Sequence, residues 1–272
     1  MKKIGIFDSG YGGLTVFEAI RKRLPQYDYV YLGDNARTPY GTRSFDVVYD
    51  YTLQSVKTLF ELGAELVILA CNTASAKALR NIQQFDLPKI DPHKRVLGVI
   101  RPSAEAVGRY TKSRNVGVFG TQGTVDSMSY PIEIQKLWGD IKVFQQPCPM
   151  WVPIVENGEY ANDGADFFVE KYVRNLMDQS PDIDSVILAC THYPMLLPKI
   201  RKYIPQNVKI LSQGEIVADS LEEYLRRHPE MENCLGRDKS VRFFTTESSQ
   251  KFSSTASIFF DGKLDVESIQ MR

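Results

Sequence analysis

The run Val67-Ile68-Leu69-Ala70-Cys71-Asn72-Thr73 returns almost letter for letter as Val186-Ile187-Leu188-Ala189-Cys190-Thr191-His192, 119 residues later. A second pair keeps the same order, since Ile4-Gly5-Ile6-Phe7-Asp8-Ser9-Gly10 resembles Val116-Gly117-Val118-Phe119-Gly120-Thr121-Gln122 at an offset of 112. More weakly, Val99-Ile100-Arg101-Pro102-Ser103 matches Ile210-Leu211-Ser212-Gln213-Gly214. Like elements in like order at similar offsets predict two copies of one structural unit. Each repeated run is short, apolar and rich in β-branched residues, and ends in small or hydroxyl residues, as a buried strand leading into a helix does.

Runs of this type recur at 3–7, 29–32, 66–70, 96–100, 116–119, 142–144, 186–189, 208–211 and 241–245. Helical spacing fills 14–24, 45–62, 74–85, 104–110, 160–177 and 215–227. The alternation predicts an α/β fold with parallel sheets, built as two pseudo-symmetric domains with a cleft between them.

In both copies a cysteine stands one step past a buried strand, at the carboxyl edge where open parallel sheets place ligands. Burial as a small hydrophobe is the ordinary fate of a cysteine, and Cys148 and Cys234 are read that way. Cys71 and Cys190 are followed directly by Asn72, Thr73, Thr191 and His192, odd company in a dry core. Helix starts near Ala74 and before Pro194 would also favour an anion beside each thiol. Two thiols facing one another across a cleft suit the removal of a proton from one side of a carbon and the delivery of another to the opposite side. A redox pair would call for a CxxC motif, which is missing. Two cysteines and at most one nearby histidine also leave a tetrahedral metal site short of ligands.

The first strand ends in Asp8-Ser9-Gly10-Tyr11-Gly12-Gly13, which has neither the GxGxxG spacing of a dinucleotide fold nor the GK[ST] of a P-loop. Two roles are open for Asp8: a carboxylate lining the cleft, or an N-cap for the helix beginning near Leu14. With 33 basic against 33 acidic side chains there is no net field to draw in a nucleic acid or an anionic membrane. No stretch of about 18 apolar residues is present, and Asp8 interrupts the basic, apolar start before a signal-peptide core could form. A cytoplasmic location with free thiols is expected.

The blocks IGIFDSGYGGLTV (4–16), YLGDNARTPYGTRS (31–44), LVILACNTASA (66–76), GVIRPSAEAV (98–107), VGVFGTQGTVDSMSY (116–130), PMWVPIVENGE (149–159) and VILACTHYPML (186–196) run nearly end to end. Together they resemble the glutamate racemases of the aspartate/glutamate racemase superfamily. The resemblance implies cofactor-independent interconversion of L- and D-glutamate for peptidoglycan synthesis. A racemase of aspartate or a related acid, or a silent D-glutamate-binding protein, is the alternative. It implies that Cys71 and Cys190 are the acid/base thiols, Cys71 serving the D-enantiomer and Cys190 the L-enantiomer. Asp8 would stand beside the first, His192 beside the second, and Glu156 would assist. Substrate contacts would fall on Asp8, Ser9, Tyr40, Gly41, Asn72, Thr73, Thr121, Thr191 and His192. The resemblance further implies no metal, a homodimer, and a first domain made of 1–97 plus 208–272 with 98–207 as the second. The tail from His228 carries no identifiable chemistry; its strand at 241–245 and the helix-like stretch after it are expected to complete the first domain.

Overall fold

The computed structural model describes residues 2–262 and 264–271. Ten strands are formed among the described residues: β1 (Lys3–Asp8), β2 (Tyr29–Gly33), β3 (Ala64–Leu69), β4 (Arg95–Gly98), β5 (Asn115–Gly120), β6 (Lys142–Pro147), β7 (Ser185–Ala189), β8 (Lys209–Leu211), β9 (Val241–Thr245) and β10 (Val266–Ser268). Every pairing between them is parallel. A six-stranded sheet runs β10-β9-β2-β1-β3-β4, and a four-stranded sheet runs β6-β5-β7-β8. Without the two strands from the tail, both sheets have one order, which makes β1 equivalent to β5, β3 to β7 and β4 to β8; the first two sequence pairs fall on such strands, while the third starts past the end of β4 and on β8.

The central strands read as unbroken apolar runs because both of their faces are covered. All residues of β2 and β7 are buried, as are all but the first of β1 and β5. Helices Gly13–Arg23, Phe45–Glu61, Ile100–Tyr110 and Asp163–Met177 supply the cover, each burying one stripe.

Three expectations are corrected. The strand at 208–211 does not return to the first domain, for β8 pairs with β7 and closes the second sheet. The turn at 205–207 leads into that edge strand, which pairs with β7; the crossing back follows Leu211, where helix Gln213–Arg227 packs along Gly13–Arg23. The helix expected over 74–85 starts earlier, at Asn72, and breaks at Ala78 (φ −118°) before a π-helical stretch, Ile82–Asp86. Ser75 Oγ holds its first turn to Leu69 O at 2.8 Å, and Gln83 holds the later part to Val96 O at 2.7 Å, so its two ends are anchored to different strands. The strand expected over 96–100 ends at Gly98, because Ile100 already opens the next helix with Pro102 in its first turn, where no N–H is missed. The tail does join the first sheet, through β9 on β2 and β10 on β9.

Candidate active site

In each sheet the chain leaves the central pair of strands in opposite directions, so the crevice lies between β1 and β3 in one and β5 and β7 in the other. Asp8 closes β1, Cys71 stands two residues past β3, Thr121 follows β5 directly, and Cys190 follows β7. The two carboxyl edges thus deliver all four residues to one cleft.

Cys71 is the N-cap of helix Asn72–Lys77. Its Sγ accepts the Ala74 N–H at 3.4 Å and lies 3.3 Å from Ser9 Oγ. Burial pushes this thiol up to about 12, with the negative charge of Asp8 adding to the effect and the contacts to Ser9 and Ala74 opposing it. Charge on Cys190 acts in the same upward direction, which puts the two thiols within electrostatic reach of each other. The Asp8 carboxylate is fully buried and accepts the Gly10 N–H at 3.0 Å. Burial raises its pKa, against the pull of His192 and of the Gly10 and Gly13 N–H groups. Gly12, not Asp8, occupies the cap of helix Gly13–Arg23. Asp8 is therefore not the cap residue, although its carboxylate still reaches the first helical N–H.

On the other side, Cys190 Sγ lies 3.8 Å from His192 Nδ1, and His192 Nε2 lies 3.0 Å from Glu156 Oε1. Burial alone would favour a neutral imidazole, but the bonds to Cys190 and Glu156 outweigh it and push His192 to about 10. An imidazolium donates from both nitrogens, so it can stabilise negative charge on Cys190 Sγ while Glu156 holds its far end. The ring of Phe259, from the tail, packs edge-on against it with centroids 5.2 Å apart. Because the folded pKa lies above the unfolded value, the stabilisation is complete below about 6.5 and is lost as pH rises toward 10. Denaturant midpoints at pH 6 and pH 10 should therefore converge in His192→Gln, whereas the unsubstituted protein should be measurably weaker at pH 10.

The loop carrying Asp8 fits only because Gly12 has no side chain. A Cβ there would lie 2.4 Å from Thr191 Oγ1 and 2.6 Å from His192 Nδ1. Gly12→Ala should displace both partners and cost on the order of 10²-fold in activity, the usual result of a misplacement near 1 Å; steady-state assays on the folded variant check this.

A second polar patch lies between Thr73 Oγ1 and Thr121 Oγ1, 2.9 Å apart, with Thr124 Oγ1 completing the triangle. Gly41 touches it closely, since a Cβ at that position would sit 2.9 Å from the Thr121 Cβ, and its carbonyl accepts the Gly123 N–H at 2.8 Å. Thr191 Oγ1 lies 3.5 Å from Asp8 Oδ1 and 3.4 Å from His192 Nδ1. Two expected contact residues have their side chains engaged elsewhere. Tyr40 donates its hydroxyl to Asp34 and packs its ring near Phe7 and Tyr51, and the Asn72 amide bonds Gln213 and Tyr130. What those two can offer the cleft is backbone.

The Sγ atoms of Cys148 and Cys234 hydrogen-bond locally, to the carbonyls of Gln146 and Met231, and all four thiols are free. Among the described residues no three His, Cys, Asp or Glu side chains converge as metal ligands, and no helix is long and apolar enough to cross a membrane. A separate cavity of about 720 Å³ opens along residues 75–81 and 97–105, and its walls contain neither of the strand-end thiols nor Asp8. Sequence reasoning missed Gln213, Tyr130, Ser103, Thr124 and Phe259. Tyr130 closes one of the quoted blocks and Gln213 lies in the weakest repeat pair, but neither carries a local pattern that marks it.

The family model for Asp/Glu/Hydantoin racemase matches residues 14–221. A glutamate racemase of Paracoccus denitrificans is 41% identical over 275 residues, covering 97% of this chain and 99% of that relative. Among solved structures, glutamate racemase isoform RacE1 from Bacillus anthracis superposes with a TM-score of 0.90 at 33% identity, covering 99% of this chain and 98% of that one. The Francisella tularensis glutamate racemase in complex with D-glutamate gives 0.88 at 30% identity, with coverage of 99% and 98%.

Proposed function

The chain belongs to the Asp/Glu/Hydantoin racemase family, and we propose that it interconverts L- and D-glutamate without a cofactor, using Cys71 and Cys190 as facing acid and base. The observation that carries this reading is the pair of buried thiols at equivalent strand ends of two like sheets. In the L-to-D direction the Cys190 thiolate removes the α-proton and becomes a thiol. The carbanion then takes the Cys71 proton on its other face, leaving Cys71 as thiolate. Negative charge passes from one sulfur to the other, and no proton is gained or lost overall. With its pKa pushed up to about 12, Cys71 holds its proton and is ready to act as this acid. His192, held by Glu156, supports the opposite thiolate.

The Asp8 carboxylate suits the substrate ammonium. The hydroxyls of Ser9, Thr73, Thr121 and Thr191, with backbone N–H groups at Tyr40, Gly41 and Asn72, suit the two carboxylates. Closure of two α/β lobes over so small a molecule strengthens each polar contact by excluding water. D-glutamate made in this way would serve peptidoglycan synthesis in a reducing cytoplasm, in keeping with four free thiols.

With L-glutamate as substrate, the circular dichroism of the amino acid should decay to zero as the enantiomers equalise. A flat trace from concentrated, folded protein would overturn the proposal, and faster turnover of aspartate would reassign the substrate. Dialysis against a chelator, or treatment with a carbonyl reagent that captures pyridoxal, should leave the rate unchanged; loss of activity after either would refute cofactor independence.

A further inference from the structure

Behind Cys71, one amide gathers polar groups from both halves of the molecule. Gln213 is buried at the first position of helix Gln213–Arg227. Its Oε1 accepts from Asn72 Nδ2 at 2.6 Å. Its Nε2 faces Ser103 Oγ at 2.7 Å and the Tyr130 hydroxyl at 2.8 Å, with Asn72 Oδ1 and the Val99 carbonyl at 3.3 and 3.4 Å. The Tyr130 hydroxyl in turn donates to Asn72 Oδ1 at 2.7 Å. Both polar atoms of the Asn72 amide are thereby held, by residues 58 and 141 positions away in sequence. Asn72 adjoins Cys71 and opens the helix whose Ala74 N–H points at the Cys71 sulfur.

Among the described residues no equivalent amide adjoins the other thiol. The residue matching Asn72 in the repeat is Thr191, whose hydroxyl lies 3.5 Å from Asp8 Oδ1 and 3.4 Å from His192 Nδ1. In a molecule built from two like units, this buried amide hub is an asymmetry.

We propose that Gln213 is a positioning residue for Cys71: by fixing the Asn72 amide between the two halves, it sets the start of helix Asn72–Lys77 and hence the direction in which the Cys71 sulfur faces the cleft. This role rests on the two-thiol reading given above. Removing the amide leaves Asn72 Nδ2 without its partner, while the Tyr130 hydroxyl keeps Asn72 Oδ1, so the rearrangement acts directly on the residue that adjoins Cys71. Rates of racemisation cannot by themselves reveal that sidedness. Enantiomers have equal free energy, so kcat/KM must remain equal in the two directions whichever thiol is disturbed.

Thiol reactivity can reveal it. The full-length protein, free of substrate, is exposed to iodoacetamide, and alkylation of the Cys71 and Cys190 peptides is followed separately by mass spectrometry. In Gln213→Leu, Cys71 should react about tenfold more slowly, the change expected when one hydrogen bond to its thiolate, that from the Ala74 N–H, is lost, while Cys190 keeps its unsubstituted rate. Racemisation should fall equally in both directions. Equal changes at both thiols, a change confined to Cys190, or no change at either would overturn the proposal. If Gln213→Leu does not fold, Tyr130→Phe decides by the same comparison, since it removes the other holder of Asn72, and a one-sided fall at Cys71 is again required. Absence of glutamate turnover in the unsubstituted protein would defeat the proposed function, yet the labelling ratio would still decide whether Gln213 positions Cys71.

Discussion

Replacing Cys71 or Cys190 with alanine is expected to lower racemisation roughly 10²- to 10⁴-fold, the contribution of a positioned acid or base. The loss should be seen from either enantiomer, because each direction needs one thiolate and the opposite thiol. Cys148→Ala and Cys234→Ala serve as controls. Their sulfurs hydrogen-bond to local carbonyls and hold no place at the strand ends, so turnover should persist, with a cost of about 1 kcal/mol in stability for lost packing at buried Cys148. Circular dichroism of the substrate gives the rates, and denaturant titration gives the stabilities. If both controls were as inactive as Cys71→Ala, the assignment of the thiols would fail.

The second large effect is isotopic and follows from the fact that a thiol carries one proton, whereas a lysine ammonium carries three. In deuterated solvent the facing thiol already bears solvent deuterium and delivers it to the carbanion. Product should therefore be deuterated at the α-carbon from the first turnover. The remaining substrate should stay protiated at low conversion, because collapse to the starting side returns the same protium from a sulfur enclosed in the cleft. A single polyprotic base would mix isotopes and carry some substrate proton into product. Proton NMR of each separated enantiomer at early times distinguishes the two. Substantial protium in the product would eliminate facing thiols even if the protein proved to be a racemase.

The amino-acid sequence by itself determined nine of the ten described strands, their parallel sense and the doubling of the unit, because these arise from short-range patterns: unbroken apolar runs, small residues at their ends, and helical spacing after them, whereas the short, half-exposed β10 carries none of these. It also singled out Cys71, Cys190 and Asp8, since a reactive residue at a strand end in a parallel sheet has only one edge to occupy. That His192 stands beside the second thiol and that Glu156 assists were implied by the resemblance alone; that the two pair was not legible, since 36 residues apart they meet only when helix Trp151–Glu156 packs beside the end of β7. Tertiary structure alone decided that β8 closes the second sheet, because an edge strand of three residues carries no mark of which open edge it will join. It likewise decided that Phe259 of the tail packs against His192, and that Gln213 holds Asn72 from 141 positions away. An aromatic ring or a lone amide follows no periodicity, and what it does depends on which distant groups the packed sheets bring within reach.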